Sequence, residues 1–581
     1  MRAAVERRAR RALRLLRACC AVGLIVVMLL SCTAAETAGP PAADPVADRF
    51  IAAWNAGDEA SMASLAGRGP RFAARMRRLL RTVSRQGALR SWMVERTAAA
   101  AEAPQNGDAA TARVPYAVTY SSAAAARPVR LQGSFGLRFD PAREHWRVLW
   151  RRTMLWPGIP GARRYHVRVR WPRRAAILDR SGRRLAHGPA SARTYPFAAV
   201  GGSVVGHVGA VQGKDATAWQ RAGDAAGASG LEAAYERRLA GRPATRLVVV
   251  GKRSRVLETL GRKRGRLGSR VRATLDATVQ RNAERALADT VGAAVVLAPH
   301  SGDVLAAASS GPFDPGNYVG AEGVSPFNRA LSGLYPPGSA MKVVTASAAL
   351  EEDVVTPQTM LRGPPSYKGV RNFESGSFGM IDFAGAMRKS VNTAFAQVAE
   401  RVGAGRLTRY ARAFGFGQPP AMKLGAATSS WPRPRDDYDL MWSSIGQAQV
   451  LATPLQMASV AATIANDGTR MQPRATFHDE RARTRVLSRR TAATMTSLMS
   501  SVVDAGTGTG ASIPDLQVAG KTGTAEVDVD GERRNHAWFI CFAPAQDPQV
   551  AVAVVAEYGG VGGEVAAPLA RRVLEAVLPA L

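Results

Sequence analysis

Seven arginines (Arg2, Arg7, Arg8, Arg10, Arg11, Arg14 and Arg17) crowd the first 17 residues against a single acid, Glu6, and Ala18 to Ala35 then runs without a charge. A basic segment leading into an apolar one is the signal for export, with the basic end left in the cytoplasm. This feature limits everything after it. The remainder of the chain is expected to fold outside the membrane, tethered by its N-terminus, with the cores of its domains supplied by the residues that follow.

Two fates are open to residues 1–35. The uncharged run is 18 residues long, enough for a spanning helix. It also contains Leu29-Leu30-Ser31-Cys32, which resembles a bacterial lipobox; the peptide would then be cut before Cys32 and that cysteine lipidated. Residues 36–45, rich in Ala, Gly and Pro, read as a linker. With 581 residues the chain has room for about three or four domains. Hydrophobic (46%) and charged (21%) contents lie in the globular range. The net charge of +33 suits an anionic surface, but the arginines are spread along the whole chain. No nucleic-acid-binding motif accompanies them, so no nucleic-acid partner is expected. Of the four cysteines only Cys541 lies beyond the N-terminal region, which precludes an intrachain disulfide in the folded part. No Cys/His cluster has metal-ligand spacing.

Val46, Phe50, Ile51 and Trp54 recur at helical spacing and Asn55-Ala56-Gly57 ends the helix. Val114 to Tyr120, Leu131 to Phe139 and Trp146 to Trp150 alternate at period two, which predicts strands with one buried face. Residues 46–156 therefore read as a small α+β domain. Pro157 to Ala162 is a Pro/Gly linker. Ser181-Gly182 predicts a hairpin turn in the segment 165–260. From about Val271 the pattern changes: a helix after Asp276, a strand over Ala293–Ala298, a turn at Ser301-Gly302-Asp303 and a second strand over Val304–Ala308. Near the C-terminus, Asn535–Phe542 and Val550–Tyr558 are apolar strands, followed by a helix from about Val565 to Val577. The segment 271–581 is thus a sheet built from both its ends around a helical middle.

Three short motifs carry chemistry. In Tyr335-Pro336-Pro337-Gly338-Ser339-Ala340-Met341-Lys342, an irregular stretch runs into a helix predicted over Val343–Leu350, and Ser339 and Lys342 share a face. A serine hydroxyl becomes a nucleophile when a neighbouring base takes its proton. A lysine can do so only with its pKa lowered by burial or nearby cations. In Ser390-Val391-Asn392 a hydroxyl and a carboxamide face one cleft; Ser390 can relay a proton and Asn392 can bond a substrate amide. In Lys521-Thr522-Gly523-Thr524 a strand begins, with Asp530-Gly531 as its hairpin turn. Lys521 and Thr524 would hold a substrate carboxylate, and Gly523 would let substrate pair with the strand.

The order S-x-x-K, S-x-N, K-T-G, at separations of 51 and 131 residues, resembles the penicillin-binding proteins and β-lactamases. Phe327-Asn328-Arg329-Ala330, Gly446-Gln447, Thr453-Pro454-Leu455-Gln456 and His536-Ala537-Trp538-Phe539 agree with the transpeptidases among them. The domain order resembles class B penicillin-binding proteins, including the subgroup associated with methicillin resistance. The resemblance implies a multidomain α+β protein: an NTF2-like domain (46–156), a dimerisation or pedestal domain (165–260, carrying Arg174, Glu232 and Tyr235-Glu236), and a transpeptidase domain (271–581) whose antiparallel sheet carries helices. It implies a serine acyl-enzyme on Ser339 with D-Ala-D-Ala stem peptides or β-lactams. Lys342 would be the base and Ser390 the proton relay. Asn392, Lys521, Thr522, Gly523 and Thr524 would bind substrate. No metal or organic cofactor is implied. No glycosyltransferase domain is evident, so a separate polymerase is the expected partner. The alternatives are a D,D-carboxypeptidase or β-lactamase using the same site, or a non-catalytic β-lactam sensor or wall-binding scaffold.

Overall fold

The computed structural model describes residues 39–103, 110–212, 219–311, 313–317 and 327–581. The arginine-rich terminus, the apolar segment and Cys32 lie outside the described residues. Among the described residues no helix is long and apolar enough to cross a membrane. The chain divides into two units, the first of residues 1–170 with 244–264 and the second of residues 171–243 with 265–581.

In the first unit, helices α1 (Asp44–Ala56), α2 (Glu59–Leu65) and α3 (Pro70–Gly87) precede strands β1 (Leu89–Arg96), β2 (Ala101–Ala103), β3 (Thr111–Ser122), β4 (Val129–Asp140) and β5 (His145–Val148). The strands form an antiparallel sheet of order β1-β3-β4-β5, with β2 on β3. The helical period of α1 and the alternation of β3 and β4 aim their aromatic residues at one another. Phe50 meets Phe135 at 5.7 Å between ring centroids, and Trp54 meets Tyr116 at 6.0 Å. Strand β5 stops at Val148, short of the predicted Trp150, yet the Trp150 ring still packs on Trp54 at 5.6 Å. Tyr116 and Tyr120 donate to the carbonyls of Met154 and Leu155, so their buried hydroxyls are satisfied. A second sheet, β6 (Arg164–Arg170), β7 (Ala244–Val250) and β8 (Val256–Lys263), completes this unit in the order β8-β7-β6. The stretch 165–260 is thus shared between the two units, because β7 pairs with β6 across 171–243.

The second unit opens with three short strands, Ile177–Leu178, Arg184–Ala186 and Val271–Arg272. The expected turn at Ser181-Gly182 joins the first two, its Ser181 and Arg183 N–H groups donating to the Asp179 carboxylate. A buried ionic cluster follows: Arg174 donates to Glu232 and Glu236, and Arg193 to Glu232. The helices α4 (Ala277–Leu287), α5 (Lys342–Glu351), α6 (Asn392–Val402), α7 (Pro454–Ala465), α8 (Arg489–Ala505) and α9 (Ala567–Val577) surround a five-stranded antiparallel sheet. Its strands are β9 (Gly292–Ala298), β10 (Asp303–Ser309), β11 (Ala519–Val529), β12 (Glu532–Ala543) and β13 (Val550–Ala556), in the order β10-β9-β13-β12-β11. Both faces are covered, which is why β9, β13 and the second half of β12 are continuous apolar runs. Val295, Trp538, Ile540 and Val555 join the core shared with α5, α6, α7 and α8. Val296, Phe539, Cys541 and Val554 join the core under α4 and α9. The turn at Asp530-Gly531 has positive φ at both residues, 52° and 81°, the geometry that matches strand twist in a tight hairpin. It makes β11 the last strand of the sheet, paired with β12 on one side.

Candidate active site

Pro336 and Pro337 end the approach to the serine, and residues Gly338–Met341 form one 3-10 turn that runs directly into α5. Ser339 stands on the turn and is half-buried, while Lys342, the first residue of α5, is wholly buried. The turn is clamped by backbone. Gly338 N–H donates to Gly446 O at 2.9 Å, and the Trp538 indole N–H donates to Pro336 O at 2.9 Å. Gly446 has φ +76°, and a Cβ there would sit 2.1 Å from Gly338 O. Gly523 faces the same turn from β11, where a Cβ would lie 2.6 Å from Pro337 O. The missing side chain at Gly523 is therefore required first by the serine turn, a cause that the motif alone does not reveal. Behind the turn, the Tyr335 hydroxyl and Arg329 Nε both donate to Glu557 Oε1, at 2.5 and 2.9 Å.

The three motifs converge around Ser390. Lys342 Nζ donates to Ser390 O (2.7 Å), Ser390 Oγ (3.2 Å) and Asn392 Oδ1 (2.6 Å), and lies 5.3 Å from the Phe395 ring centre. Lys521 Nζ donates to Ser390 Oγ (2.8 Å), Thr522 O (3.0 Å) and Thr522 Oγ1 (3.4 Å). One hydroxyl thus accepts from two amines, and neither amine has a carboxylate among these partners. Two ammonium charges in a dry site are costly. Burial pushes the Lys342 amine well below its ordinary value, and the Lys521 charge pushes it further in the same direction. Burial alone pushes Lys521 down to about 7. Ser390 itself holds a left-handed backbone (φ +57°), a strain that persists only where the surroundings enforce it.

The structure brings Ser390, Asn392, Lys342, Lys521 and Thr522 into one hydrogen-bonded group. Ser339 lies beside it on the turn, but its hydroxyl makes no hydrogen bond among the described residues, Lys342 being committed to Ser390 and Asn392. Thr524 Oγ1 accepts from Gly562 N–H at 3.1 Å, and the β11 backbone at Thr524 lies against Gly338, where an added Cβ would be 2.5 Å from Thr524 O. Sequence reasoning did not single out Asn372. Its carboxamide donates to Pro364 O and Gly376 O and accepts from Thr393 N–H, while its neighbour Arg371 offers the carbonyl that receives Asn392 Nδ2 at 2.8 Å. Nor did it find Glu557, or Thr507, whose hydroxyl bonds that of Thr522 at 2.7 Å. None of these has a local signal, since Asn372 meets Thr393, Glu557 meets Tyr335 and Thr507 meets Thr522 only in the fold. Among the described residues no group of acidic, His or Cys side chains could hold a metal ion.

The penicillin-binding protein transpeptidase domain family matches residues 292–575, and the penicillin-binding protein dimerisation domain family matches residues 187–273. The peptidoglycan D,D-transpeptidase PbpA of Mycolicibacterium smegmatis is 39% identical over 332 residues, covering 49% of this chain and 67% of the relative. The peptidoglycan D,D-transpeptidase MrdA of Haemophilus influenzae is 29% identical over 449 residues, covering 66% of this chain and 69% of the relative. Among solved structures, a ceftriaxone acyl-enzyme complex of penicillin-binding protein A from M. tuberculosis superimposes with a TM-score of 0.58 and 32% identity, covering 70% of this chain and 98% of that one.

Proposed function

We propose, from the premise that this chain belongs to the class B penicillin-binding proteins, that it is a peptidoglycan D,D-transpeptidase in which Ser339 forms the acyl-enzyme. The observation that carries the assignment of roles is the Ser390 hydroxyl held between two buried amines, with Ser339 on the adjoining turn. Burial favours the neutral form of Lys342, in which two N–H groups remain as donors and the lone pair accepts the Ser339 proton as Ser339 Oγ attacks the penultimate D-Ala carbonyl. The Ser339 and Thr524 N–H groups stabilise the oxyanion, at the place where β11 abuts the turn. The proton passes through Ser390 to the leaving amine of the terminal D-alanine. An acceptor amine of a second stem peptide then attacks the ester, forms the cross-link and frees Ser339. Asn392 bonds the substrate amide, while Lys521, Thr522 and Thr524 hold its carboxylate. Strand β11, last in its sheet and with Gly523 in it, receives the substrate backbone as an added strand. No cofactor enters the scheme. β-Lactams acylate Ser339 by the same path.

The finer reading rests on sequence order. Residues 46–156 are an NTF2-like spacer, a reading supported by three helices followed by an antiparallel sheet. Residues around Arg174 and Glu232 belong to the pedestal, and residues from 271 onward to the transpeptidase domain. The overall plan is that of the methicillin-resistance-associated subgroup. Residues 1–35 hold the protein at the outer face of the cytoplasmic membrane, as a lipoprotein on Cys32 or as a signal anchor. A separate glycosyltransferase supplies the glycan strands. The test is labelling with a fluorescent penicillin beside Ser339→Ala, with release of D-alanine from a stem-peptide donor measured in the presence and absence of an acceptor amine. A stable adduct and cross-linked product, both absent in the variant, are expected. Equal labelling of the variant would overturn the assignment of Ser339, and D-alanine release by water alone would make the enzyme a carboxypeptidase.

A further inference from the structure

The segments 171–243 and 265–275 carry thirteen arginines and one lysine against five carboxylates. Of those carboxylates, Asp179, Glu232 and Glu236 are consumed by Arg183, Arg174 and Arg193. Asp224 caps the Arg221 N–H. A concave cleft of about 610 Å³ opens in this region, lined by Arg173, Arg174, Arg184, His187 and Arg270 with the backbone of Gly182 and Gly188. Arg174 is already neutralised at the cleft floor by its two glutamates. The exposed guanidinium groups of Arg173, Arg184 and Arg270 make no ion pair or hydrogen bond among the described residues, and no carboxylate lines the cleft. Arginines dispersed by composition alone would not converge on one concavity from three separate stretches of chain, a loop, a strand and the residue before another strand.

We propose that this cleft is a binding site for a multivalent oxyanion of the phosphate type, separate from the Ser339 site. The planar guanidinium presents paired donors that match phosphate oxygens, and three of them around a concavity outdo a single surface arginine in both charge and geometry. A concave site takes up a discrete phosphate-bearing group more readily than it lies on a flat charged surface. Two sources share that chemistry, a phospholipid headgroup and a phosphate free of lipid.

The full chain in neutral detergent is titrated with inorganic tripolyphosphate and, separately, with mixed micelles containing phosphatidylglycerol, and compared with Arg173→Ser/Arg184→Ser/Arg270→Ser. Saturable binding that weakens roughly ten-fold or more in the triple variant is expected. Response to tripolyphosphate alone assigns the site to lipid-free phosphate; response to the phosphatidylglycerol micelles assigns it to a headgroup. The acylation rate with penicillin should be the same in both proteins, which shows the variant to be folded. If it is not, the single exposed change Arg184→Ser carries the comparison with an expected loss of a few-fold. Absence of saturable binding of both probes, or equal affinity in wild type and variant, overturns the proposal.

Discussion

Replacing Lys521 with methionine should flatten the pH dependence of stability. In the folded protein this amine is wholly buried and pushed down to about 7, whereas in the unfolded chain it titrates at its ordinary value of 10.5. Between those two values the unfolded state binds the extra proton, so stability rises with pH by about 1.4 kcal/mol per pH unit from this one group. From pH 7 to about 9.5 the wild type should gain roughly 3 kcal/mol that the methionine variant does not. The variant also loses the bonds to Ser390 Oγ and Thr522 O, but that loss is independent of pH and shifts its whole curve. Groups common to both proteins cancel in the difference except Lys342, whose depression the Lys521 charge deepens and which therefore adds to the difference in the same direction. Urea unfolding of each protein at half-unit pH steps, followed by tryptophan fluorescence, measures it. Parallel stability curves for the two proteins across this range would refute the claim that burial pushes the Lys521 amine down in the folded state.

Gly446→Ala would place a methyl against Gly338 O at a left-handed backbone position, and penicillin acylation should fall about 100-fold or more; a variant within two-fold of wild type would remove Gly446 from the clamp. Arg174→Met would leave the buried Glu232 with Arg193 alone and the half-buried Glu236 without a cation, costing about 3–5 kcal/mol in urea unfolding; a cost under about 1 kcal/mol would show the cluster to be solvated. Asn372→Ala should slow acylation about ten-fold at unchanged Ser339 accessibility, because the Arg371 carbonyl that orients Asn392 loses its support; an unaltered rate would reduce Asn372 to a loop staple.

The local parts of this protein were legible because they repeat within a few residues. The period of Phe50 and Trp54 predicted α1, the Asp530-Gly531 pair predicted the hairpin, and the chemistry of three motifs pointed to one site. What escaped was the reason for each local choice. Gly523 reads as a place for substrate until Pro337 O is found beneath it. Lys342 reads as a neighbour of Ser339 by spacing, but its bonds go to Ser390 and Asn392, 48 and 50 residues away. The pairing of β6 with β7 spans an inserted segment, so no window of periodicity contains both strands. Positive charge was read as composition, and only the fold reveals which arginines have lost their carboxylates.

Cys541 is the only free cysteine among the described residues, and it sits in the middle of the central sheet with its thiol pushed upward by burial. The thiolate is the form that oxidants and disulfides attack, and here neither ionisation nor access is available. In the folded molecule this thiol is shielded from the redox state of its surroundings. Its one moment of vulnerability is during synthesis and export, before β12 is enclosed. Oxidation at this cysteine would therefore register in the yield of new protein, not in molecules already folded.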